Sequence, residues 1–484
     1  MPMTTSFLFY DLETFGSDPR RTRIAQFAAI RTDAELREID APISIFVQPA
    51  NDLLPSPVAT LITGITPQDA LRDGMVEADA FAMICEELSR PESCTVGYNS
   101  LRFDDEFIRH GLFRNFFDPY EREWRGGNCR WDLLDVLRLA HAVRPDGIEW
   151  PKREDGATSF KLEHLAAANG VREGDAHEAL SDVRALIGLA RRLKQAQPRL
   201  WAYALRLRDK KFASSLLDCI AMEPVLHVSQ RFPALRLCAA PVLPLARNPQ
   251  MDSRVIVFDL TQDPHDLLTM EPDALADRLY TPTRDLPEGV ERIALKEVHL
   301  NKCPALIAWP HLRAADFERL AIDSVQVAER AALIRAHGPE IAEKVRRVFA
   351  RQGDRSPSDV DASIYDRFID KGDARHFPQV RTTPPHALRD ASFAFRDPRL
   401  PELLFRYRAR NWPGTLDADE RVRWDAYRDQ RLRVDSGWSE YTFESLQAEL
   451  DALRIAHAGD ARKLTLLDQV DAWARALDAD LTLR

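Results

Sequence analysis

The run Ser6-Phe-Leu-Phe-Tyr-Asp-Leu-Glu-Thr-Phe-Gly16 decides how this chain is read. Phe7 to Tyr10 are apolar or aromatic, and Asp11 and Glu13 follow with one residue between them. A β-strand alternates its side chains between two faces, so Asp11 and Glu13 point one way and Leu12 the other. Two carboxylates that close repel, and each loses hydration against a sheet. A divalent cation with oxygen ligands relieves both costs. Spacing alone leaves open, and even favours, a plainer reading of two solvated acids at a strand end.

Further stretches bear on that choice. Asp104 lies in Gly97-Tyr-Asn-Ser-Leu-Arg-Phe-Asp104-Asp105-Glu106, and His177 stands five residues ahead of Asp182 in Asp175-Ala-His177-Glu-Ala-Leu-Ser-Asp182. Asp, Glu, Asp, His and Asp in this order resemble the DEDDh 3′→5′ exonucleases. Within that group, the opening run, the Gly97 run and Arg130-Trp-Asp-Leu-Leu-Asp135 are similar to the exonuclease I family. The likeness continues through Val298-His-Leu-Asn-Lys-Cys-Pro304 and Tyr407-Arg-Ala-Arg-Asn-Trp-Pro-Gly-Thr-Leu416, and so spans nearly the whole chain.

The resemblance implies an α/β ribonuclease-H-like catalytic domain over 1–198. A small β-barrel domain of the Src-homology type with flanking helices follows over 199–352, and an α-helical C-terminal domain over 356–484. It implies a processive 3′→5′ exonuclease that degrades single-stranded DNA to 5′-mononucleotides in repair and recombination. Two Mg²⁺ ions would serve, with Mn²⁺ able to substitute. Phosphodiester hydrolysis needs an activated water and stabilised charge on phosphorus and leaving group, which two cations roughly 3.5–4 Å apart supply. Hard anionic ligands suit such ions. By the family pattern Asp11 bridges both ions, Glu13 and Asp182 complete one site, and Asp104 acts on the second. Asp105 and Glu106 read as first-turn acids that complement a helix dipole. His177 is the expected general base, since an imidazole with a pKa near 6.5 is available in neutral form to take a proton. Alone it would equally suit a helix-start histidine bonded to a carbonyl.

Strand contacts are expected at Tyr120, Trp124 and Phe160, whose rings lie in loop context and suit base stacking. Arg109, Arg138 and Lys161 are the candidate phosphate or sugar contacts. Lys161 stands where relatives are expected to carry arginine, which keeps the charge and loses the bidentate fork. Leu12 and Thr14 flank the acids and would meet the terminal nucleotide and its free 3′-hydroxyl. The resemblance also implies a second partner, the acidic C-terminal tail of a single-stranded-DNA-binding protein. Ten arginines and seven acids between Arg396 and Arg433 suit either a solvated helical surface or a basic wall for strand or tail.

Bulk properties set limits. At 484 residues the chain is too long for one core. Its 45% hydrophobic and 29% charged residues are ordinary for a globular protein. No apolar run suits a bilayer, no signal peptide opens the chain, and a cytoplasmic monomer without membrane association is expected. Cys85, Cys94, Cys129, Cys219, Cys238 and Cys303 lack metal-ligand spacing and read as reduced thiols. A net charge of −10 counts weakly against a polyanion partner, because a local groove need not share it.

Patterning places strands at 7–11, 25–32, 43–47 and 95–99. Helices are predicted at 78–88, from about 104, and at 131–143, 160–169 and 176–195. A helix near 200–218 precedes strands at 225–229, 234–240, 255–260 and 293–299; helices then dominate. Two rivals remain: an exoribonuclease of the same superfamily, typically one domain, and a non-catalytic DNA-binding scaffold, which usually loses at least one of the five site residues.

Overall fold

Strand β1 covers Ser6–Thr14 and carries both Asp11 and Glu13 within it, running three residues past the end that its patterning suggests. The computed structural model describes residues 5–172, 174, 178–350 and 358–482. Alternation along β1 is visible in its packing. Leu8, Tyr10 and Leu12 join Phe27, Phe81, Phe107 and Ile108 in one apolar core, which leaves the two acids to the opposite face. β2 (Ile24–Asp33) pairs antiparallel with β1, setting Asp11 opposite Ala28 and Glu13 opposite Gln26. β3 (Ile43–Phe46) flanks β2, and β4 (Ser93–Gly97) runs parallel to β1 on its other side. The order is β3-β2-β1-β4, and β5 (Cys129–Asp132) begins at the edge.

The chain forms two compact units. Residues 2–129, 173–185 and 356–484 make one; residues 130–172 and 186–355 make the other.

In the first unit, two short helices absent from the patterning follow β3. Pro57–Thr63 and Pro67–Asp73 are each capped by a hydroxyl, Ser56 and Thr66, with proline at the first helical position. The C-terminal helices Arg399–Asn411, Ala418–Arg433, Phe443–Ala456 and Ala461–Thr482 belong to the same unit. Leu54 is buried with Leu432, Leu446, Leu450 and Leu467, and Phe113 and Phe116 with Leu400, Leu403 and Tyr407. Charged groups are buried here too. Arg410 donates Nε to Asp52 at 2.9 Å and Nη1 to Asp361 at 2.7 Å, while Arg431 donates to the Asp52 carbonyl at 2.9 Å. Burial would raise the Asp52 pKa, but the guanidiniums of Arg410, Arg431 and Arg23 outweigh it and hold the carboxyl down to about 2. The arginine-rich stretch is therefore corrected in part: Arg406, Arg408, Arg410, Arg428 and Arg431 are buried and form no surface wall.

The second unit holds a five-stranded antiparallel sheet in the order β10-β6-β7-β8-β9. Its strands are β6 (Val225–Val228), β7 (Ala239–Arg247), β8 (Arg254–Asp259), β9 (Leu295–His299) and β10 (Ala305–Ala308). Leu243, Ile256 and Phe258 pack with Ile334 and Val345 from the helices Ser324–Ala336 and Gly338–Ala350. In the stretch 234–240, predicted as a strand, residues 234–238 form a tight turn, with Leu237 and Cys238 at φ of 54° and 55°, and β7 starts at Ala239. β7 contains Pro241 and Pro244, and its register shifts between Pro244 and Ala246. The helix predicted from Trp131 begins at Leu133. Trp131 lies in β5, and Asp132, the last residue of that strand, caps the helix by accepting the Leu134 N–H at 3.1 Å. The helical stretch near 200–218 is two helices, Pro198–Arg206 and Lys210–Leu216.

None of the six cysteines, all among the described residues, forms a disulfide. No helix among the described residues is long and apolar enough to cross a membrane.

Candidate active site

The strand that delivers Asp104 ends in a tight turn. A Cβ at Gly97 would lie 2.4 Å from that of Ser100, so glycine is required for the close approach. Asn99 takes a φ of 62°, a conformation asparagine tolerates better than most residues. Ser100 then accepts the Asp105 N–H at 2.9 Å, and the helix Asp104–Arg114 starts. The two neighbouring aspartates diverge there. Asp105 accepts the Tyr10 hydroxyl at 2.8 Å and the Arg122 guanidinium at 2.5 Å, deep in the core. Asp104, also buried, instead adds its charge to Asp11 and Glu13. The Arg122 partner gives Asp105 a structural duty and separates it from the acidic cluster.

Asp11, Glu13 and Asp182 converge. One carboxylate oxygen of each lies within 4.8 Å of the other two. Asp182 is presented by the first turn of the helix Ala179–Ala196. Burial, then the charges of Asp104, Glu13 and Asp182, push Asp11 well above the usual carboxylate range. Burial together with Asp182 and Asp104 pushes Glu13 up to about 8. The donors that converge are all carboxylate oxygens, which suit hard divalent cations, and a bound cation would offset the repulsion that raises the Asp11 and Glu13 pKa values. His177 lies outside the described residues.

Beside the acids opens a cavity of about 720 Å³, in the size range of small-ligand sites. Leu12, Glu13 and Thr14 form one side, Phe103, Val58 and Ile62 supply apolar wall, and Ser17, Asp18 and Glu440 supply polar groups. Leu12 and Thr14 therefore line a ligand-sized space next to the acids. Phe103 lay within the quoted Gly97 run without being singled out; nothing local to Glu440 marks it.

Trp124 is 65% exposed, between two short 3₁₀ turns. Tyr120 is half-buried against Phe368. Arg109 is buried, and its Nε and Nη2 donate to Glu123 at 2.7 and 3.0 Å, while Nη1 donates to Glu106 at 3.0 Å. Its guanidinium stands 5.3 Å from the Tyr120 ring centre. In this structure Arg109 braces the Tyr120–Trp124 segment. In the other unit, Arg138 donates to Asp135 at 3.1 Å and lies 5.6 Å from the Phe160 ring centre. Phe160 meets the edge of His141. Lys161 is exposed and 3.4 Å from Glu163.

Family models match the chain in three segments: Exonuclease over residues 8–190, Exonuclease I SH3-like domain over 208–351 and Exonuclease I C-terminal domain over 358–477. The first defines the class, an exonuclease built on the acid-bearing sheet. Exodeoxyribonuclease I of Escherichia coli is 42% identical over 477 residues, covering 98% of each chain. Exonuclease I of Methylocaldum szegediense is 46% identical with a TM-score of 0.94, covering 98% of this chain and 99% of that one. A zinc-bound E. coli exonuclease I–single-stranded DNA complex is 41% identical, with a TM-score of 0.92 over 98% and 99% of the two chains. A crystal structure of SSB/exonuclease I with the inhibitor CFAM has 40% identity and a TM-score of 0.89, over 98% and 100%. The chain belongs to the exonuclease I family and is an exodeoxyribonuclease.

Proposed function

We propose that this enzyme removes nucleotides processively from the 3′ end of single-stranded DNA and releases 5′-mononucleotides, as part of DNA repair and recombination. The observation that carries the reading is the convergence of Asp11, Glu13 and Asp182, with Asp104 adding its charge, at the side of a cavity large enough for one nucleotide. The exonuclease I relatives solved with single-stranded DNA support the substrate.

On this reading Asp11, Glu13, Asp104 and Asp182 hold two Mg²⁺ ions, for which Mn²⁺ substitutes. Bound there, the cations neutralise charge on the scissile phosphate and favour ionisation of the attacking water. His177 takes the proton from that water. Leu12 and Thr14 seat the terminal nucleotide, and their backbone groups meet its 3′-hydroxyl. Tyr120, Trp124 and Phe160 stack on bases further along the strand, while Arg109, Arg138 and Lys161 lie along its backbone, Arg109 through the segment it braces. The domain limits on this reading are 1–198, 199–352 and 356–484. The chain works as a monomer in the cytoplasm and docks the acidic C-terminal tail of a single-stranded-DNA-binding protein, a partner that the SSB/exonuclease I structure supports.

The test uses 3′-labelled single-stranded DNA with Mg²⁺. Mononucleotide release is expected, and Asp11→Asn or a chelator is expected to abolish it. Equal or faster digestion of RNA, or release from a 5′ label first, would overturn the reading.

A further inference from the structure

The loop that leaves β1 is held by a residue 423 positions away in sequence. One oxygen of Glu440, Oε1, accepts the Ser17 N–H at 2.7 Å, the Asp18 N–H at 2.5 Å and the Ser17 hydroxyl at 3.1 Å. Hydrogen bonds to a carboxylate are about twice as strong as neutral ones, and three on one oxygen fix its position tightly. The second oxygen, Oε2, stands over Gly16, where a Cβ would lie 1.8 Å from it. The glycine thus admits the carboxylate.

Glu440, Gly16, Ser17 and Asp18 all line the cavity beside the acids, together with Leu12, Glu13 and Thr14. The connection back to the strand is short. The Thr14 hydroxyl donates to the Gly16 carbonyl at 2.6 Å, and the Phe15 carbonyl accepts the Ser56 N–H at 2.7 Å. The carboxylate therefore sets the wall of the cavity three residues beyond Glu13, a wall that two backbone N–H groups would otherwise leave to water.

We propose that Glu440 is a positioning residue for the reaction: by clamping Gly16–Asp18 it fixes the seat of the terminal nucleotide, and so the register of the scissile phosphate against the acids. The inference rests on the reading that this cavity takes the 3′-terminal nucleotide. A misplacement of about 1 Å at a reacting centre costs up to 10²-fold in rate, so loss of the clamp acts on turnover. Grip on a long strand, spread over many contacts elsewhere, is left nearly intact.

The experiment measures single-turnover nucleotide release from a 3′-labelled oligothymidylate with Mg²⁺, and its Kd in EDTA. Glu440→Ala is expected to slow release about tenfold with Kd within about twofold of wild type. Glu440→Gln keeps an acceptor for both N–H groups and is expected to restore most of the rate. Gly16→Ala, which displaces the carboxylate with one methyl group, is expected to slow release by a similar factor. The double variant should then be no slower than Glu440→Ala, because both changes remove one interaction. Gly16→Ala also carries the test if Glu440→Ala does not fold. The inference is overturned if Glu440→Ala releases nucleotides at the wild-type rate. It is also overturned if the glutamine fails to rescue, or if the two changes multiply. A wild-type enzyme inactive on the 3′ label removes the underlying reading instead, and the inference with it.

Discussion

Replacing Glu13 by glutamine should stabilise the metal-free enzyme while destroying its activity. Burial and the neighbouring acids lift the Glu13 pKa from an ordinary 4.5 to about 8. The folded state therefore binds more protons than the unfolded chain between those two values, and stability falls as pH rises through that window. At about 1.4 kcal/mol per unit, the gap sets an upper bound of about 5 kcal/mol by pH 8. Water penetration and local relaxation leave a part of this, on the order of 2 kcal/mol. Glutamine keeps the shape and carries no charge. In EDTA, thermal unfolding from about pH 5 to about pH 9 should show the variant gaining on wild type as pH rises, by several degrees at the alkaline end. Mg²⁺ should then stabilise wild type more than the variant, since binding to the folded state alone raises stability by mass action. Parallel pH–stability curves for the two proteins in EDTA would refute the reasoning, because they would mean that Glu13 is not held in a repulsive cluster.

Two other outcomes follow from the structure. Asp361→Asn leaves Arg410 and Arg406 short of a buried partner and should cost about 3–5 kcal/mol, read as a lower midpoint in urea; a midpoint unchanged from wild type would contradict the assigned network. Trp124→Ala, at a largely exposed ring, should leave thermal stability unchanged and weaken single-stranded DNA binding by about 1–3 kcal/mol, measured by fluorescence anisotropy; wild-type affinity would remove Trp124 from the strand path.

Much of the acidic site is legible in the linear sequence because alternation in a strand is a local property. Asp11 and Glu13 share a face of β1 for that reason, and the Gly97-Tyr-Asn-Ser turn before Asp104 is built from residues chosen for close approach and positive φ. Spacing alone does not separate Asp104 from Asp105; the family pattern favours Asp104, and in the structure Arg122 and Tyr10 reach Asp105 from other segments. Patterning failed where a local rule was overridden. Pro241 and Pro244 argue against a strand, yet β7 accommodates them with a shift in register. Trp131 continues the apolar run of the helix after it, and only the Asp132 cap marks the change. Arg109, a candidate phosphate contact, also pairs with Glu106, three residues before it on the same helix, a spacing that signals such an ion pair. The buried arginines of the C-terminal helices were illegible for a related reason: Asp52 and Asp361, which neutralise Arg410, stand far from it along the chain.

The shared unit formed by residues 2–129 and 356–484 bears on how this protein comes into being. Leu54, Asp52 and the loop at Ser17 emerge from the ribosome early, but the leucines, arginines and glutamate that cover them are translated last. At typical synthesis rates of about 5–20 residues per second, the N-terminal sheet waits for tens of seconds with part of its core open. Completion of the nuclease site, cavity wall included, is thereby deferred until the chain is finished. An unfinished polypeptide carries the acids but lacks the Glu440 clamp beside them, so a ribosome stalled before the C-terminal helices displays the motif without the assembled enzyme.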